Sequence, residues 1–88
     1  MIDPQLLEIL RCPHDYSPLA EADWRLVERV NRAVQAGRVV NVGGQAVSRR
    51  LDAALVREAG DLVYPVFDEI PVLLPDEAIP LDQLDGGR

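Results

Sequence analysis

The chain has 88 residues, enough for one domain, and its 48% hydrophobic content excludes a disordered polymer. Its apolar runs are only a few residues long, which excludes a bilayer-crossing helix. A net charge of −6 disfavours a phosphate backbone as partner. The lone cysteine, Cys12, excludes an internal disulfide, and one Cys with one His falls short of the four ligands of a structural zinc site.

Asp3-Pro4 begins a short helix, with Asp3 as cap and Pro4 at the first helical position. Leu6, Leu7 and Leu10 give it one apolar face, and Pro13 bounds it. Cys12 to Leu19, with two prolines, Asp15 and Ser17, reads as an irregular loop. Asp23 caps a second helix reaching about Ala36, with Leu26, Val27, Val30, Ala33 and Val34 along one side and Arg25, Arg29 and Arg32 along another. Gly37 stands where a helix-terminating glycine belongs. Trp24, at the helix start, is expected in the core. Gly43-Gly44, between two runs rich in β-branched residues, predicts a hairpin. Residues 54–58 and 62–66, around Ala59-Gly60-Asp61, predict another, and Ile70 to Leu74 a short strand. Pro65 and Pro71 lack the N–H that a central ladder needs, which places them at an edge, a bulge or a strand start. The last stretch is acidic. Residues 58–88 hold eight acids and one arginine, against seven acids and eight arginines in residues 1–57.

Cys12, His14 and Asp15 crowd into one turn, where three consecutive directions cannot converge as nucleophile, base and orienting group. Cys12 reads as a small buried hydrophobe. Asp68/Glu69 and Asp76/Glu77 are adjacent acids, which on a strand face opposite sides and keep an edge soluble. The N-terminus has neither a basic region nor a small-residue cleavage site, so the expected location is the cytoplasm.

Two motifs carry a family resemblance. Leu6-Leu7-Glu8-Ile9-Leu10-Arg11-Cys12-Pro13 resembles the opening motif of the Trm-one-twelve-like, YcaR-like group of small zinc-ribbon-like proteins, which includes activator subunits of methyltransferases. Residues 64–74, Tyr-Pro-Val-Phe-Asp-Glu-Ile-Pro-Val-Leu-Leu, resemble its closing motif. The resemblance implies zinc-ligand positions at Cys12, Asp15 and Arg57, and the last two cannot serve as the family's cysteines do, so a metal-free member is expected. It implies a glycine at the position of Glu69, in a turn where glycine usually supplies a positive φ. It also makes residues 22–52 an inserted helix–hairpin module, whose apolar burial would replace the missing metal.

The expected architecture is α+β: a small ribbon-like antiparallel sheet with an N-terminal helix and an inserted central helix plus hairpin. A single domain spans residues 1–82 and a frayed tail residues 83–88. The resemblance implies a non-catalytic protein, free of cofactors, that stabilises a class I S-adenosylmethionine-dependent methyltransferase through an apolar sheet edge. Val63, Val66, Phe67, Ile70, Val72 and Leu73 would form that edge. A homodimer pairing through the same edge is the alternative. Neither direct nucleic-acid contact through Arg25, Arg29, Arg32, Arg49 and Arg50 nor membrane contact is expected.

Overall fold

A computed structural model describes residues 4–86 of the chain. The fold is α+β. Helix α1 spans Pro4–Ile9, strand β1 Leu19–Glu21, helix α2 Trp24–Gln35, strand β2 Ala53–Arg57 and strand β3 Leu62–Phe67. Strand β4 is Ile70–Pro71, a 3₁₀ turn covers Pro75–Glu77, strand β5 is Ile79–Pro80, and helix α3 covers Asp82–Gly86. The sheet is antiparallel, in the order β1-β2-β3-β4, with β5 pairing to β3 beside β4.

Alternation along β2 and β3 builds a core on each face of this sheet. Ala54 and Val63 point to one face, where α2 lays Val30, Ala33 and Val34 against them with Val39, Leu51 and Ile79. Leu55, Tyr64 and Val66 point to the other, joined by Cys12, Leu19 and Ala78 and covered by the half-buried Leu7, Leu10 and Leu73. Pro65 lies inside β3, opposite Ala54, and its carbonyl accepts from Val72 N at 2.9 Å. Its ring nitrogen therefore faces the side where β4 has ended and β5 has not begun, so no ladder bond is lost.

Helix α2 is terminated at both ends by the residues expected to do so. Asp23 Oδ1 accepts from Leu26 N at 2.9 Å. At the other end Gly37 N bonds Val34 O and Arg38 N bonds Ala33 O, each at 3.0 Å, with Gly37 at φ +73°. Helix α1 is shorter than its apolar pattern suggests. Leu6 and Ile9 stay exposed, and Arg11 Nη1 satisfies the carbonyls of Glu8 and Leu10 at 2.8 and 2.9 Å. Asp3, expected as its cap, lies outside the described residues.

Four expectations are corrected here. The Gly43-Gly44 hairpin reduces to one bridge, Val40 to Ala46. Two bonds hold that pairing, Asn41 N to Gln45 O and Val47 N to Val39 O, each at 2.9 Å, while at the turn Val42 N goes to Ala78 O and Gly43 N to Asp76 O. The 70–74 strand stops at Pro71, after two residues. Trp24 is 68% exposed rather than buried: it is the first residue of α2, and full burial along the helix begins only at Val30. Where the tail was expected to fray, α3 forms, and Gln83 binds Val40 with its carboxamide, accepting from Val40 N at 2.9 Å and donating to Val40 O at 2.8 Å. Residues 87 and 88 lie outside the described residues.

Candidate functional site

The three positions read as former metal ligands meet in space. Arg57, at the end of β2, forms a two-pronged bond to Asp61 across the β2–β3 turn, Nε to Oδ1 at 2.6 Å and Nη2 to Oδ2 at 2.7 Å. Its Nη1 lies 3.5 Å from Asp15 Oδ2, and its side chain is only 17% exposed. The guanidinium thus ties the loop after α1 to the central hairpin. Ser17, by its backbone N–H and hydroxyl, holds the Asp15 carboxyl below its usual range, and Arg57 does the same for Asp61. The two acids in turn raise the already high pKa of Arg57, Asp61 foremost.

Beneath this ion cluster, Cys12 is fully buried with Sγ 3.0 Å from the hydroxyl of Tyr64, itself fully buried. Burial, and secondarily the contact with Cys12, pushes the Tyr64 phenol well above its usual range. The Cys12–His14–Asp15 run diverges. Cys12 turns in to Tyr64, His14 Nε2 lies 2.9 Å from the Pro75 carbonyl, and Asp15 turns to Ser17 and Arg57. Among the described residues no three His, Cys, Asp or Glu side chains gather as a metal site.

The residues expected at the apolar edge divide. Val63 and Val66 belong to the core, on opposite faces of β3, and offer nothing to a partner; this corrects their assignment. Phe67 is half-buried under the guanidinium of Arg49, 4.3 Å from its ring centroid. Val72 and Leu73 are half-buried, and Leu73 packs into the core beside Tyr64. Ile70 is 66% exposed, and the neighbouring Leu74 is 61% exposed. The turn between β3 and β4 is built from Asp68 at φ +52° and Glu69 at φ +67°. Both residues adopt the left-handed conformation of a two-residue hairpin turn, so Glu69 takes the positive φ that a glycine would supply.

Sequence reasoning missed Leu74, Ile9, Tyr16 and Trp24 as surface residues. For Tyr16 a signal was available, since the residue follows Pro13-His14-Asp15 in a turn. It sits at φ +61° and is 78% exposed. The His14–Pro75 contact brings the Tyr16 loop alongside Leu74.

No family model matches the chain. It is 35% identical to the UPF0434 protein of Maricaulis maris, over 92% of this chain and 86% of that protein. It is 32% identical to one from a Bradyrhizobium species over 92% and 83%, and 33% identical to one from a Chelativorans species over 92% and 76%. The solution NMR structure of a Xylella fastidiosa protein superposes with a TM-score of 0.75 at 34% identity, covering 94% of this chain and 86% of that one. The Maricaulis, Bradyrhizobium and Chelativorans relatives carry the UPF0434 name and not that of the Trm-one-twelve-like, YcaR-like group. The membership inferred from the two terminal motifs is corrected accordingly: those motifs cover a third of the chain, whereas the matches run along nearly all of it. The chain belongs to the UPF0434 family.

Proposed function

We propose that this protein is a non-catalytic, cytoplasmic binding subunit that docks another folded protein on the surface around Ile70 and Leu74. The observation that carries this reading is the exposure of two large aliphatic side chains flanking Val72 and Leu73 on an edge segment. Strand β4 pairs with β3 alone, and its two residues offer a short template, so the docking is by side chains more than by strand addition. Apolar anchors surrounded by polar groups supply most of the energy of such contacts. Asp68, Glu69, Asp76 and Glu77 furnish that polar surround. A class I methyltransferase is the partner class to test first, and no residue at this edge selects it over other folded proteins. No helix among the described residues is long and apolar enough to cross a membrane.

The test is co-purification of the chain with its host's methyltransferases, read as an equimolar complex by light scattering. Ile70→Glu should abolish that complex while leaving the thermal midpoint unchanged, since the side chain already faces water. A mass of two chains with no captured partner supports a homodimer instead. Binding that survives both Ile70→Glu and Leu74→Glu removes this surface from consideration.

A further inference from the structure

The net charge of −6 conceals a strong segregation. Residues 24–50 hold six of the nine arginines and one carboxylate, Glu28, a net of +5, while the remaining residues hold fourteen acids and three arginines, a net of −11. An argument against polyanions built on net charge treats the surface as uniform, and this surface is not.

Part of this segment lines a groove whose charged residues are Arg32 and Arg50 with Glu21, Glu28 and Asp52. It runs along α2 against the strand-free stretch that leads into β2, with Trp24 and Glu21 at one end, Arg32 and Ser48 at the other, and Arg50 lining both halves. From Trp24 to Gln35 the helix is about 16 Å long. Arg25, Arg29 and Arg32 follow at intervals of four and three, on the helix side away from the core residues Val30 and Val34. Among the described residues Arg50 has no ion pair, whereas Arg32 is taken by Glu28 and Arg49 by Asp68. Trp24 presents its ring to solvent, and the Arg25 guanidinium stands 5.6 Å from the ring centroid.

The geometry points to a contact for single-stranded nucleic acid along this groove, with a base stacked on Trp24 and phosphates met by Arg50 and Arg25. An aromatic platform beside unpaired cations is the pairing that single strands use, and stacking accepts any base. The carboxylates distinguish this occupant from an acidic peptide. Asp52 Oδ2 is occupied by the Asp68 N–H and Glu28 by Arg32, which leaves Glu21 beside Trp24. A carboxylate there repels phosphates and a peptide's acids alike, but it accepts hydrogen bonds from the exocyclic amino groups of a base, which a peptide's acids cannot donate. The inference stands independently of docking at Ile70.

Trp24 is the chain's only tryptophan and reports on its own site. Titrating the full chain with a mixed-sequence RNA single strand of about a dozen nucleotides should quench its fluorescence. The logarithm of the affinity should fall with that of salt concentration by about 0.7 for each phosphate contacted. Arg50→Glu should weaken binding by about tenfold or more, and Ile9→Glu, on the exposed side of α1 and outside the groove, should leave it unchanged. Circular dichroism checks that each variant is folded; should Arg50→Glu fail to fold, Arg25→Ala carries the same test. Absence of quenching, binding indifferent to salt, equal binding of polyglutamate, or saturation by mononucleotides at the same concentration would each overturn the assignment.

Discussion

Glu69 shows how a single residue can conflict with its backbone. At φ +67° an L-residue other than Asn, Asp or Gly is strained by about 1–2 kcal/mol. The sequence pointed to this position, because the resemblance set a glycine there; it did not disclose whether the turn would change or the strain be kept. The strain is kept, because pairing of Val66 with Pro71 and of Phe67 with Ile70 dictates a two-residue connection. Glu69→Gly is expected to stabilise the fold by about 1 kcal/mol, a rise of about 4–8 °C in thermal midpoint for a domain of this size. Tyr64 gives a second residue-scale expectation. Its folded-state pKa is raised, so the neutral phenol is favoured in the fold. Its contribution is complete below the unfolded-state value of about 10 and declines as pH rises from there toward the folded value. Urea midpoints should therefore fall above about pH 10, and Tyr64→Phe should flatten that decline. The depressed Asp15 and Asp61 work in the opposite sense: their contribution is present above about pH 4 and is lost as pH falls through their lowered values.

At the scale of elements, α2 and the β2–β3 hairpin were legible, because periodicity, Asp23, Gly37 and Gly60 all point the same way. The stretch between them was not. Its two glycines invited a hairpin, but Gly43 is needed for close approach: a Cβ there would come within 3.0 Å of Asp76 Cβ. Two carboxamides from distant elements supplement its short pairing. Asn31 binds both backbone groups of Leu51, donating from Nδ2 at 2.9 Å and accepting at Oδ1 at 2.7 Å, and Gln83 does the same for Val40. Nothing in local spacing announces a side chain acting as a strand partner across such distances. Asn31→Ala leaves two buried backbone groups without partners at about 1–3 kcal/mol each, so a loss of about 2–6 kcal/mol is expected in urea unfolding. Asn31→Asp retains only the acceptor and should recover part of that stability.

For the molecule as a whole, the α+β class followed from the sequence, whereas the ion cluster of Asp15, Arg57 and Asp61 did not. What net charge could not convey was segregation along the chain: residues 24–50 carry a net +5 and the remaining residues a net −11. The Arg57 cluster also decides a response to metal removal. A guanidinium already joins Asp15 and Asp61 and would repel an incoming cation. Addition of a chelator is therefore expected to leave far-ultraviolet circular dichroism and the thermal midpoint unchanged, whereas Arg57→Ala, which unties the loop from the hairpin, lowers the thermal midpoint. Pro65, finally, splits the outer margin of the sheet between β4 and β5, two residues each, while β1 contributes three. Cross-β fibrils grow from unbroken templates about six residues long, and no strand at either border supplies one. At high concentration this chain should resist fibrillation by virtue of the same ring that its central strand accommodates without losing a bond.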